Sequence, residues 1–127
     1  MLLKNKNILV TGVGKGLGKD MAENFVNSGA FVYGITRSKS DIKKLKNHKN
    51  SKVFLGDVRN LKLIKKIFEQ SIKEKKEINC LVNNAGIRQR LKFEKISDKK
   101  LREVFDINFF SIFRIMRLYA KYCHENK

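Results

Sequence analysis

The run Thr11-Gly12-Val13-Gly14-Lys15-Gly16-Leu17-Gly18 places four glycines and one lysine within eight residues. Such a run can hold a phosphate. Glycines let a backbone turn tightly and bring its N–H groups close to an anion. Ahead of the run lies the apolar stretch Asn7–Val10, and a helical pattern follows it. The start of a helix leaves N–H groups without partners, and the helix dipole favours an anion there. A mononucleotide loop would need G-x-x-x-x-G-K-[ST]. Lys15 follows Gly14 and precedes Gly16, so no hydroxyl stands where magnesium would require one. The observed T-G-x-x-x-G-x-G spacing suits a pyrophosphate: the glycines give a tight turn, close backbone approach, and packing of helix on strand.

The elements around the loop alternate. Asn7–Gly12 reads as a buried strand and Ala30–Thr36 as a second. Leu17, Met21, Ala22, Phe25 and Val26 fall on one helical face, and Asn27–Gly29 ends that helix. Residues 38–49 are polar with a short helical phase. Lys52–Asp57 is a third strand. Leu61, Ile64, Ile67, Phe68, Ser71 and Ile72 mark a third helix, and Ile78–Gly86 a fourth strand with a polar turn. A long helix starts after Ser97, a suitable N-cap, and runs to about Glu125. The order β-α-β-α-β-α-β-α implies a parallel sheet with right-handed crossovers.

The 127 residues fit one small domain, 1–127, with no repeat and no linker. Lys and Arg number 29 against 12 Asp and Glu, for a net charge of +17. An excess of this size raises nucleic acid as a partner. The lysines scatter along the chain, however, and Lys, Asn and Ile all use AT-rich codons. A generally basic, solvated surface is the expectation, with no nucleic-acid partner. Cys80 and Cys123 have neither metal spacing nor a disulfide framework, so no metal is expected. No signal peptide or membrane-spanning stretch is present, so a cytoplasmic setting is expected, with no membrane partner.

Taken together, these residues resemble the short-chain dehydrogenase/reductase family along the chain from Asn5 onward. Besides the glycine loop, Gly56-Asp57-Val58 follows the third strand, Asn83-Asn84-Ala85-Gly86 follows the fourth, and Asn108 lies in the long helix within Phe105–Phe113. The resemblance implies an α/β Rossmann-type doubly wound parallel sheet, here truncated after the fourth strand and the following long helix. It implies a nicotinamide dinucleotide as partner and a small carbonyl or alcohol as substrate. The cofactor-binding residues it implies are Thr11, Gly12, Lys15, Gly16, Leu17, Gly18, Thr36, Arg37, Ser38, Asp57, Val58, Asn84, Ala85 and Gly86. Asp57 would contact the adenine, and Asn83 and Asn84 would brace the backbone near the cofactor. Asn108 would support a water-linked proton path, as the one catalytic residue. Relatives use the long helix as a subunit interface, so homo-oligomerisation through residues 98–125 is expected.

The end of the second strand usually discriminates between the two nicotinamide cofactors. An acid there would accept from a ribose 2′-hydroxyl and repel a 2′-phosphate. Thr36-Arg37-Ser38 carries no acid, and Arg37 can pair with a phosphate. Lys15 matches a basic residue of NADP-preferring relatives. NADP is therefore expected over NAD.

The family also needs a serine and a Y-x-x-x-K pair for proton transfer. Tyr33, Tyr119 and Tyr122 are followed four places on by Arg37, Cys123 and Asn126, so none fits. Only 19 residues follow Asn108. The expectation is the NADP(H)-binding portion of an oxidoreductase, inactive alone. The alternative is a non-catalytic nucleotide-binding or interaction module, with a basic nucleic-acid binder ranked last. Arg88 and Arg90 leave an anionic substrate open, beside an oxoacyl thioester.

Overall fold

The computed structural model describes residues 1–39 and 42–126. Ser40, Asp41 and Lys127 lie outside the described residues. Four strands form one parallel sheet: β1 (Asn7–Thr11), β2 (Phe31–Thr36), β3 (Ser51–Leu55) and β4 (Cys80–Val82). Their order is β3-β2-β1-β4. The chain therefore moves outward from β1 to β3, then crosses back to place β4 on the other side of β1. That reversal opens a crevice beyond the carboxyl end of β1, where open α/β sheets bind ligands.

The helices are α1 (Gly16–Asn27), α2 (Lys43–Lys46), α3 (Leu61–Lys73), α4 (Asp98–Phe105) and α5 (Ser111–Glu125). Strand alternation divides the core into two halves. Leu9, Tyr33 and Ile35 point to one face, where Ile64, Ile67 and Phe68 of α3 and Ile115 and Tyr122 of α5 cover them. Ile8, Val10 and Val32 point to the other, against Ala22 and Val26 of α1 and Leu45 of α2. Covered on both sides, β2 is buried at every residue, as its unbroken apolar run dictates.

Several boundaries differ from the sequence expectation. β3 stops at Leu55, which leaves Gly56 and Asp57 in the turn that follows. β4 is only three residues long and half-buried throughout, because among the described residues it pairs with β1 alone. Leu17 does not join the core: it is 69% exposed at the start of α1.

The long helix is interrupted. Ser97 caps its start, accepting from the Lys100 N–H at 3.3 Å, and α4 follows. Residues Asp106–Phe110 then form a π-helical turn before α5 continues to Glu125. The Asp106 carbonyl accepts from the Ser111 N–H, five residues on, and from the Ser111 hydroxyl at 2.8 Å. One extra residue is thereby inserted into the helical path. Ile107, Ile115 and Tyr122 turn inward, while Phe105, Phe109, Phe110, Phe113 and Met116 stay exposed.

The tyrosines are packing residues, and the hydroxyls of Tyr33 and Tyr122 are hydrogen-bonded. Tyr122 stacks on Phe68, accepts from the Ile78 N–H at 2.8 Å, and shares a 3.0 Å hydrogen bond with Ser71. Tyr33 donates to Glu74 Oε2 at 3.0 Å, and its burial raises its pKa. Among the described residues, no helix is long and apolar enough to cross a membrane. No group of three or more His, Cys, Asp or Glu side chains among them could hold a metal ion.

Candidate functional site

β1 delivers the chain into the glycine loop at Thr11. The Gly12 and Val13 N–H groups donate to the Ile35 carbonyl at 2.8 and 3.1 Å, hooking the loop onto β2. Two glycines then permit close approach. A Cβ at Gly14 would lie inside the contact distance of Thr36 Oγ1. A Cβ at Gly18 would overlap the Gly12 carbonyl and the Asn84 amide nitrogen. The start of α1 is thus pressed against the ends of β1, β2 and β4.

Side chains cap the starts of α3 and α4: Asn60 accepts from Leu63 N–H, and Ser97 from Lys100 N–H. α1 has no such cap and no acid in its first turn. Its leading N–H groups and the positive end of its dipole are left for a ligand.

A second clamp holds β4 to β1. Thr11 Oγ1 is buried and accepts from both the Asn84 and Ala85 N–H groups at 3.0 Å. The Asn84 side-chain nitrogen donates to the Thr11 and Gly12 carbonyls at 3.1 and 3.2 Å. Asn84 therefore braces the glycine loop from the neighbouring strand. Asn83 does not share that work: its Oδ1 is buried and has no partner among the described residues.

Between these parts lies a cleft of about 400 Å³. Gly12, Lys15, Leu17, Gly18, Thr36, Arg37, Ser38, Asp57, Val58, Asn84, Ala85 and Gly86 line it, all of them singled out in the sequence. Gly14 and Gly56, which stand in the motifs but were not assigned to the cofactor, also line it, as do Ile35, Ile87 and Ile107, which were missed. Gly14 could have been found, since it belongs to the same glycine run. Ile107 carried no signal, because only the π turn aims it inward.

Three singled-out residues do not line the cleft. Thr11 sits behind it, its hydroxyl occupied by β4. Gly16 begins α1 with φ of 54°. Asn108 lies in the π turn, where its side chain clasps one residue: Oδ1 accepts from the Ile87 N–H at 2.8 Å, and Nδ2 donates to the Ile87 carbonyl at 2.7 Å. Both of its polar ends are engaged in fixing the segment after Gly86.

Charge concentrates at the Arg37 end of the cleft. Arg37 lies 3.8 Å from the Asp57 carboxylate. Asp57 is gripped more tightly by Arg59, whose Nε and Nη2 donate at 3.0 and 2.8 Å and whose backbone N–H donates at 2.8 Å. The Arg59 fork is the largest influence holding the Asp57 carboxyl below its ordinary range, with burial opposing it. Asp57 was expected to contact adenine; the structure shows it already held by an arginine that the sequence did not single out. Its signal was the Asp-x-Arg spacing in the turn after a strand.

A family model described as short chain dehydrogenase matches residues 6–127. The chain belongs to the short-chain dehydrogenase family. A 3-oxoacyl-[acyl-carrier-protein] reductase of Salmonella typhimurium is 30% identical over 119 residues, covering 92% of this chain and 49% of that protein. An NADPH-dependent 3-dehydrocapnine reductase of Ornithobacterium rhinotracheale is 32% identical over 109 residues, covering 81% and 38%. A short chain dehydrogenase structure from Bacillus anthracis superposes with a TM-score of 0.88 at 29% identity, covering 98% of this chain and 54% of that one. The chain thus spans no more than half the length of these curated short-chain dehydrogenase relatives.

Proposed function

We propose that this chain is the NADP(H)-binding portion of an oxidoreductase that moves a hydride between NADP and a carbonyl or alcohol substrate. The uncapped start of α1, facing a cleft flanked by Lys15 and Arg37, carries the reading. When bound, the dinucleotide supplies or accepts the hydride; this chain's residues hold it. The first-turn N–H groups of α1 receive the pyrophosphate, and Gly14 and Gly18 let the loop and the helix start close onto Thr36, Gly12 and Asn84. Asp57 and Val58 flank the adenine. Asn84, Ala85 and Gly86 form the floor beside β4, and Asn108 fixes that floor through Ile87.

NADP is favoured over NAD because residues 36–38 offer hydroxyls and a guanidinium but no carboxylate. A relative named for NADPH dependence supports this. The proton-transfer serine, tyrosine and lysine are assigned to the part of the relatives' length that this chain does not span. The name of the 3-oxoacyl reductase supports a carbonyl substrate. A cytoplasmic setting belongs to the same reading.

The test is fluorescence titration of the chain with NADPH and NADH. The parent should bind NADPH more tightly, and Thr36→Asp should reverse the order. Thr36 Oγ1 already accepts from the Ser38 N–H at 3.1 Å, so an aspartate can keep that turn while adding its charge. NADPH binding that survives Thr36→Asp unchanged rules the assignment out.

Self-association through residues 98–125 is part of the proposal. Phe109, Phe110, Phe113 and Met116 form an exposed apolar stripe of the kind that marks an interface. Sedimentation should show an oligomer that Phe109→Asp with Phe113→Asp converts to monomer. A parent that sediments as a monomer at every concentration refutes it.

A further inference from the structure

Asp57 reintroduces at the adenosine end of the cleft the acid that the end of β2 lacks. Its carboxylate comes from the turn after β3, yet lies 3.8 Å from Arg37. Left uncompensated, it would act on a 2′-phosphate twice over, by drawing the Arg37 guanidinium away and by repelling the phosphate directly.

Arg59 prevents this. Its planar fork takes both Asp57 oxygens, and its own N–H takes one of them again. A bidentate charged pair of this kind is stronger and better oriented than a single contact. By comparison, the Arg37 contact is long, and Arg37 is more than half exposed. Arg59 Nη1 also lies 4.0 Å from Asp106 Oδ2, and Asp106 is in turn held by Arg114 at 3.0 Å. These direct contacts run Arg37, Asp57, Arg59, Asp106, Arg114. Among the described residues three guanidiniums alternate with two carboxylates, and the row reaches the cleft at Arg37.

We infer that Arg59 determines cofactor specificity without touching the cofactor: by neutralising Asp57 it leaves Arg37 available to a 2′-phosphate. This rests on the proposed NADP preference. Arg59 is a positioning residue whose effect is confined to the cofactor that carries the additional phosphate.

The experiment titrates the chain and its variants with NADPH and NADH and reads the ratio of the two dissociation constants. An adenine contact common to both cofactors does not move that ratio. Arg59→Gln should cut the preference for NADPH about tenfold while NADH binding changes by less than about threefold. Adding Asp57→Asn to Arg59→Gln removes the uncompensated charge and should return the ratio to within about threefold of the parent. Arg59→Lys keeps the charge without the fork and should retain the preference, which keeps the test decisive if the glutamine variant does not fold. Equal loss of both cofactors in Arg59→Gln, no recovery in the double variant, or a loss of preference in Arg59→Lys would each overturn the inference while leaving the NADP assignment standing. A parent chain that prefers NADH overturns both.

Discussion

Gly18→Val is expected to weaken NADPH binding by about a hundredfold, equivalent to roughly 2.7 kcal/mol, in a chain that keeps its helical circular dichroism. The new Cβ would overlap two atoms at once, the Gly12 carbonyl oxygen and the Asn84 amide nitrogen. Neither is the mobile end of a long side chain. Gly12 is anchored to Ile35, and Asn84 is anchored to Thr11 and Gly12. The clash can be relieved only by lifting α1 from the sheet or by expelling the Asn84 amide. Either movement carries the helix N-terminus away from the cleft. Overpacking of this kind costs about 1–3 kcal/mol in stability, so the urea midpoint should fall as well. A variant with the parent's affinity would show that α1 does not have to approach this closely.

Thr11→Val is expected to have the largest effect on stability. Valine matches threonine in shape but cannot accept the Asn84 and Ala85 N–H groups that now share Thr11 Oγ1. A buried donor left without a partner costs about 1–3 kcal/mol. Both donors are only half-buried beside the cleft, so water partly replaces the hydroxyl and the combined loss should be about 1–3 kcal/mol, a sizeable share of the roughly 5–15 kcal/mol by which domains are stable. The loss should be local first. Hydrogen exchange at Asn84 and Ala85 should accelerate more than at residues of β2, because the clamp holds β4 and not the other strands. Thr11→Ser, which keeps the hydroxyl, should restore most of the stability. If Thr11→Val leaves both the denaturation midpoint and these exchange rates unchanged, the hydroxyl does not bear the clamp.

The sheet was readable from the chain because burial on both faces leaves a plain mark. The unbroken apolar run of β2 admits no other placement, and the glycine loop sits where a strand gives way to a helix. β4 was less readable, since three half-buried residues carry little pattern. The cleft followed from the loop, the Asp57 turn and the Asn84 turn, each next to a strand end. What stayed hidden was pairing across long separations. That Thr11 and Asn84 spend their polar groups on each other depends on a contact 73 residues apart. The Asp57–Arg59 fork depends on a turn geometry that many sequences could disguise. Asn108 was found by resemblance, but its hold on Ile87 was not, because helical periodicity gives no hint of a π turn.

That turn bears on how this chain tolerates changes in its length. A loop absorbs a lost or gained residue by bowing in or out. The stretch Asp106–Phe110 has no such slack. In a regular helix each residue advances the direction of the side chains by about 100°, and the extra residue here offsets α5 from α4 by that amount. Removing any one of the five would leave an ordinary helix that an observer could mistake for an improvement. It would also swing Ile115 and Tyr122 off α3 and bring exposed phenylalanines into their place. The segment works as a spacer measured in angle, so insertions and deletions should be accepted in the turn before Ser97 and rejected within these five positions.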